Sequence, residues 1–347
     1  ELCGRDWSSD VCSSDLLVPA TGLNISGEAG FFPIPIASLR LDTVTDFNLF
    51  LTPSSATCEP VLYRGENLPF TEQARGRLMD NRVEELWVSS SQEKAYRRYV
   101  EANLGAVLED PSIPIKERSQ TLYQSAQGLV RDVLEDPRSG DVIERSAAMV
   151  QNSVDYMFKE GSSFHSLMQV SSYDYYTYTH SVNVFVFSTA LAQRLGLPAD
   201  EIREFGQGAL LHDLGKSLLD ESIINCKGPL SDEQWAEMKK HPVYADELLR
   251  AQGVTSEVVL DVARHHHEKL NGSGYPDGLA GDEISVWVRI STIADIFDAL
   301  TTKRSYKEAR DSFPSLKLMQ EEMSEELDQE IFRTFINMMA ADAAHKG

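Results

Sequence analysis

The sequence predicts a mainly α protein, in which a helical bundle follows a small N-terminal α+β module and a helical connector. Three observations carry that expectation. Apolar residues recur at helical spacing from about residue 115 onward, first as Leu122, Ala126, Leu129 and Val133, then as Ile143, Ala147, Val150 and Val154. Short strand-like runs, by contrast, fall within the first hundred residues. Beyond them strands and helices do not alternate, which argues against a parallel sheet in the C-terminal part.

The first sixteen residues, ELCGRDWSSDVCSSDL, contain a near-repeat and lack both a basic start and an apolar core, so they do not read as a secretory signal. They resemble translated sequencing-adapter sequence, and residues 1–16 are expected to be no part of the fold. The α+β module is expected over 17–105. Residues 31–36, 47–51 and 61–63 read as strands, with a Thr/Pro/Ser turn at 52–55. A helix should begin at Thr71, another strand should cover 86–88, and 91–104 should be helical. The connector is expected over 106–144. It packs on the C-terminal domain in the simplest reading, and a dimer seam is the alternative.

The C-terminal domain is expected over 145–347. One helix should run from His180 past Leu191 and end near Gly196. A second should cover 200–214, with Gly215 as its cap. A third should open at the capping box Ser231-Asp232-Glu233-Gln234. Others are expected over 242–251, 256–267 and 286–302.

Composition narrows the partners. With 42% hydrophobic and 25% charged residues, the chain is ordinary for a globular protein. Its formal net charge of -22 repels phosphate at long range and argues against DNA or an anionic membrane as partner. A small phosphate ester stays possible, because a bound metal and a few local cations outweigh a distant negative surface. No apolar run approaches the ~18–20 residues of a membrane span. Four cysteines without C-x-x-C spacing suggest neither a disulfide framework nor a thiolate zinc site, and a reducing cytoplasm fits them best.

Six of the eight histidines lie between 180 and 267. His212 shares a helical face with Ile202, Phe205 and Ala209, His180 with Val184, Phe187 and Leu191, and His266 with Val259 and Val262. An ionisable group on an apolar face costs several kcal/mol unless it is compensated. One such histidine alone would be a core residue with an ordinary hydrogen bond. Several together call for a common partner, and a metal cluster supplies one. Imidazole with carboxylate and no thiolate suits Fe, Mn, Ni, Co or Zn. Asp295 alone also reads as part of a polar stripe with Ser291, Asp298 and Thr302, and the run 272–278 alone could be a plain turn.

Four motifs in order give these residues a context. His212-Asp213-Leu214-Gly215-Lys216 resembles an HD-x-GK signature. His266-His267-Glu268, followed by Asn271-Gly272-Ser273-Gly274-Tyr275-Pro276, resembles an HHE…GxGYP signature. Asp295-Ile296-Phe297-Asp298-Ala299-Leu300 and Arg304-Ser305-Tyr306-Lys307 resemble a closing DxxDAL…RxYK stretch. With His180 upstream and His241-Pro242 between, residues 145–340 resemble the HD-GYP family.

That resemblance implies an HD-type helical bundle and a phosphodiesterase acting on cyclic di-GMP. It implies that His180, His212, Asp213 and Asp295 hold one divalent metal, and that Asp213 bridges to a second held by His241, His266 and His267. Lys216 would sit by the scissile phosphate, Arg304 and Lys307 would grip phosphate oxygens, and Tyr275 would line the pocket. Asp213 and Lys216 carry the catalytic role in this reading. Tyr176 stands where some relatives have a glutamate for a third metal, and only Asp174 is near, so two metals are expected. His265 should be a neighbour of the ligands, Glu268 should orient a histidine and Asp298 should cap or brace. Two rivals stay open: a phosphohydrolase of another nucleotide, and a weakly catalytic sensor binding cyclic di-GMP or a GGDEF-type partner. A homodimer is compatible with all of these.

Overall fold

The computed structural model describes residues 30–51, 60–171, 177–224, 226, 228–302 and 310–344. Residues 1–16, the 52–55 turn, Asp174, Tyr176, Arg304, Lys307 and His345 lie outside the described residues. The chain divides into two compact units between Ser125 and Ala126.

The N-terminal unit is built from β1 (Phe31–Pro35), β2 (Val44–Thr45), β3 (Leu49–Leu51), β4 (Val61–Arg64), β5 (Leu68–Pro69), α1 (Glu72–Asp80), β6 (Glu85–Ser89) and α2 (Glu93–Glu109). Four strands form an antiparallel sheet in the order β1-β6-β3-β4, and β2 pairs with β5. β1 sits at the edge, where Pro33 and Pro35 remove ladder donors that no second neighbour needs. Thr71 caps α1, its hydroxyl accepting from the Ala74 N–H at 3.3 Å. Ile34, Phe47, Leu49, Phe70, Leu86 and Val88 form the core with Tyr99 and Val100 of α2. The strand expected over 47–51 is shorter: β3 begins at Leu49, and Phe47, buried in this core, lies ahead of it.

The helix α3 (Ile115–Glu135) carries the division between the units. The second unit then comprises α4 (Val142–Lys159), α5 (Ser163–Val170), α6 (Thr177–Arg194), α7 (Ala199–Leu211), a 3₁₀ turn at Leu214–Leu218, α8 (Glu221–Ile224), α9 (Asp232–Met238), α10 (His241–Ala251), α11 (Glu257–His265), α12 (Val286–Thr301), α13 (Ser312–Glu322) and α14 (Gln329–Ala344). α6 and α12 pack on each other at its centre. Each is buried on every side, α6 from Thr179 to Ala192 and α12 from Ile290 to Thr301, as expected of helices that are apolar all round. α7 packs between α6, α4 and α11, and α10 packs on α11. α4 belongs to this bundle: Arg203 of α7 pairs with its Asp155 at 2.6 Å, and Gln207 donates to its Ser146 Oγ at 2.9 Å.

Ser231 and Gln234 form the expected capping box at the start of α9. The expected cap at Gly215 is corrected. α7 already ends at Leu211, and Gly215 lies within the 3₁₀ turn without a left-handed backbone. Glycine is required there by close approach, since a Cβ would collide with the His241 carbonyl and lie 2.6 Å from the Ala245 nitrogen. The turn carrying Lys216 is thereby pressed against the first turn of α10, which carries His241. Among the described residues no helix is long and apolar enough to cross a membrane.

Candidate metal centre

Six elements converge on one buried point. α6 supplies His180, the end of α7 supplies His212 and Asp213, and the 3₁₀ turn supplies Lys216. The start of α10 supplies His241, the residues just past α11 supply His266 and His267, and α12 supplies Asp295. None of these side chains is more than 4% exposed. Pro242, tolerated in a first helical turn, lets α10 begin at His241.

The candidate ligands form two groups. Atoms of His180, His212 and Asp213 lie within 4.8 Å of one another, and so do atoms of His241, His266 and His267. Two carboxylates join the groups. Asp213 Oδ2 is 3.4 Å from His212 Nε2 and 3.7 Å from His180 Nε2, while its Oδ1 is 3.4 Å from His241 Nε2. Asp295 Oδ1 is 2.9 Å from His180 Nε2, and its Oδ2 is 3.6 Å from His267 Nδ1. Lys216 Nζ donates to Asp213 Oδ2 at 2.7 Å.

Hydrogen bonds on the outer side set the histidine tautomers. Nδ1 of His212 faces the Ala209 carbonyl at 2.7 Å, that of His241 faces Met238 at 2.8 Å, and that of His266 faces Ala263 at 3.0 Å. A carbonyl only accepts, so each Nδ1 carries the proton and each Nε2 presents a lone pair inward. His180 donates through Nδ1 to Asp298 Oδ2 at 2.7 Å. Asp298 Oδ1 in turn accepts from Asn183 Nδ2 at 2.7 Å and Thr302 Oγ1 at 3.1 Å. Asn183 was not singled out in the sequence; the signal for it was a polar residue one turn after His180 in an apolar helix.

The protonation pattern follows from burial. Burial pushes His241 down to about 3, with the Lys216 charge adding to it. Burial first, and then neighbouring histidines, hold His266 and His267 well below the ordinary imidazole range. For Asp213 burial works the other way, but Lys216 and His212 outweigh it and keep the carboxyl well below its usual range. Burial also opposes a charge on His180, yet Asp295 and Asp298 raise it to about 9.

This arrangement fits divalent metal. His241 Nε2 lies 3.3 Å from His266 Nε2 and 3.2 Å from His267 Nε2. The first two present lone pairs to each other with no proton between them. His212 Nε2, Asp213 Oδ1 and Asp295 Oδ2 have no hydrogen-bond partner among the described residues, although all are buried. Converging lone pairs in a dry pocket are unfavourable by themselves and become favourable around a cation, which needs neutral imidazole and ionised carboxylate. Imidazole and carboxylate together suit a first-row divalent ion.

The remaining candidates border the centre. The Tyr275 ring lies 4.8 Å from the His267 ring at an interplanar angle of 32°, with Trp235 of α9 edge-on to it at 6.2 Å. Nothing in the sequence pattern pointed to Trp235. His265 pairs with Asp261 at 2.6 Å and Asp277 at 3.0 Å rather than with the ligands. The expectation for Glu268 is corrected. Its carboxylate accepts from the main-chain N–H groups of Asp277, Gly278 and Leu279, at 2.7, 3.0 and 3.1 Å, instead of orienting a histidine.

Comparison with known proteins agrees with the site. The HD domain family matches residues 150–331. The cyclic di-GMP phosphodiesterase PA4108 of Pseudomonas aeruginosa is 30% identical over 316 residues, covering 87% of this chain and 75% of that protein. The 3'3'-cGAMP-specific phosphodiesterase 2 of Vibrio cholerae is 41% identical over 133 residues, 38% of this chain and 26% of that one. Among solved structures, the HDG"Y"P protein Bd1817 from Bdellovibrio bacteriovorus shares the fold, with a TM-score of 0.61 at 21% identity over 90% of this chain and all of that one. With the motifs at residues 212–216 and 266–276 seated in this fold, the chain belongs to the HD domain family and is of the HD-GYP kind.

Proposed function

We propose that this chain is a metal-dependent phosphodiesterase that hydrolyses cyclic di-GMP to the linear dinucleotide, with GMP as the product of any second cut, in bacterial second-messenger signalling. One observation carries the reading: two histidine groups joined through Asp213, with the buried Lys216 ammonium on the same carboxylate. The name of the Pseudomonas relative supports the substrate.

His180, His212, Asp213 and Asp295 would hold one divalent ion, and His241, His266 and His267 with Asp213 a second, drawn from Fe, Mn, Ni, Co or Zn. Bound ions of this kind supply Lewis-acid chemistry, polarising phosphoryl oxygens and activating water. The chain's own part is placement and charge. Lys216 offers a fixed positive charge in a water-poor pocket, where it counters charge growing on a phosphoryl oxygen. Asp213 and Asp295 keep the two histidine groups in register, and Asp298 with Asn183 holds the His180 ring. Tyr275 lines the pocket beside His267, and Arg304 and Lys307 grip phosphate oxygens, Arg bidentately and Lys as a point charge. In this reading residues 145–347 are the catalytic domain, 17–105 an accessory module and 106–144 a connector, acting in the cytoplasm. A homodimer and a GGDEF-type partner are compatible with it.

A second substrate is favoured by the Vibrio relative, which is named for 3'3'-cGAMP. The test is the full chain purified anaerobically, its metals measured, and both cyclic dinucleotides followed by chromatography beside Asp213→Ala. Turnover of cyclic di-GMP that the variant loses supports the proposal. Cleavage of 3'3'-cGAMP alone would move the substrate. Metal-loaded protein that binds cyclic di-GMP without cutting it would make the chain a sensor.

A further inference from the structure

The glycine-rich loop after the HHE run is tied back onto that same run at both of its ends. At the near end, Gly274 packs so closely that a Cβ would lie 2.5 Å from the Glu268 Cα and 2.6 Å from the His267 oxygen. The Tyr275 N–H donates to that oxygen at 3.3 Å. At the far end, the Glu268 carboxylate takes three consecutive main-chain N–H groups, those of Asp277, Gly278 and Leu279. Arg264 and His265 meanwhile hold the Asp277 side chain, Arg264 at 2.8 and 3.0 Å and His265 at 3.0 Å. Tyr275 and Pro276 lie between the two ties. The Tyr275 ring is thereby set against His267, whose own ring belongs to the metal centre.

Glu268 is 1% exposed, yet it meets neither histidine group. Three N–H groups on one carboxylate are charge-assisted bonds in a dry setting, roughly twice as strong as neutral ones. Between Asn271 and Gly278 the loop has Tyr275 and Pro276 as its only large apolar side chains, so hydrogen bonds rather than packing set its position.

We infer that Glu268 is a positioning residue for the substrate pocket: by fixing residues 277–279 it places the Tyr275 ring beside His267, and it acts on substrate binding rather than on metal retention. The inference rests on the proposed phosphodiesterase reading of the site.

The experiment uses the full chain with Glu268→Gln, Glu268→Ala and Asp277→Asn. Metal content, hydrogen exchange in the peptide spanning 277–279, and KM and kcat for cyclic di-GMP are measured. For Glu268→Ala, exchange at 277–279 should quicken at least roughly tenfold and metal content should stay at the wild-type level. KM should rise roughly tenfold while kcat stays within about threefold. Glu268→Gln, which keeps one acceptor oxygen, should fall between wild type and Glu268→Ala. Asp277→Asn loosens the same tie from the outer side and carries the test if Glu268→Ala does not fold. Unchanged exchange, or lost metal with unchanged KM, overturns the inference. Should the wild type fail to cut cyclic di-GMP, the phosphodiesterase reading falls on its own, and exchange with metal content still decides the role of Glu268.

Discussion

Replacing Asp213 with asparagine keeps the volume of the side chain and removes its charge. Two consequences can be sized separately. In metal-free protein the Lys216 ammonium, 2% exposed and 2.7 Å from Asp213 Oδ2, loses its partner inside the bundle. Removing one member of a buried ion pair costs about 3–5 kcal/mol, because the other charge stays buried. For a unit of this size that lowers Tm by roughly 6–20 °C. In metal-loaded protein the variant also loses the carboxylate that reaches both histidine groups, at 3.4 Å on either side. Activity should then fall at least ~1000-fold, which corresponds to about 4 kcal/mol of transition-state stabilisation. Adding Lys216→Met to the variant removes the stranded ammonium, so stability should largely return while activity does not. The assays are thermal unfolding of chelator-treated wild type, Asp213→Asn, Lys216→Met and the double variant as a double-mutant cycle, and metal content with turnover for the loaded forms. An Asp213→Asn protein that keeps two metals, cuts cyclic di-GMP within tenfold of wild type and melts at the wild-type temperature would refute the reasoning.

Three further outcomes are expected. Gly215→Ala forces the 3₁₀ turn away from the His241 carbonyl and should destabilise the protein by about 1–3 kcal/mol while lowering metal occupancy, read by thermal unfolding and elemental analysis. Asp298→Asn can offer its amide N–H to His180 and drive the His180 proton onto Nε2, the nitrogen 2.9 Å from Asp295; metal affinity by competition with a chelator should weaken roughly 10–100-fold while Tm moves little. Asp277 is held down to about 2 by its bond to Arg264 and then by His265, so its folded pKa lies below its unfolded one. Its contribution is present above about pH 4 and is lost as pH falls through about 2, so Asp277→Asn should lower stability at neutral pH and flatten the unfolding profile between about pH 4 and 2.

The candidate ligands were legible because their chemistry is written in side-chain identity. Histidines and aspartates on faces otherwise filled by Val, Phe and Leu are conspicuous, and the order of the motifs at 212–216, 266–276 and 295–300 left one family context. Helices with a one-sided apolar pattern, such as α3 and α4, could be read at their spacing. The α+β module was legible through its strand runs and the Thr71 cap, although the structure gives Phe47 to the core and not to a strand.

Contacts without periodicity were not legible. Glu268 sits beside two ligands, and neighbourhood along the chain suggested a task for it among the histidines. Its partners are main-chain N–H groups nine to eleven residues further on, which every residue but proline carries and which therefore leave no mark in the sequence. Gly215 read as a helix cap because glycine often is one. Only the approach of the His241 carbonyl shows that it is there for space.

The sequence by itself determined the candidate ligand types, the helical class of the C-terminal unit and the family. These depend on residue identity and on apolar spacing, both local properties. Tertiary structure alone decided that Asp213 and Asp295 both span the two histidine groups, that Asp298 holds His180, and that the loop carrying Tyr275 is tied down by Glu268. Except for the Glu268 tie, which closes within eleven residues, each of these is a distance between residues far apart in the chain. Such distances are set by how α6, α7, α10 and α12 pack, and α6 and α12, buried on every side, have no single face from which that packing could be read.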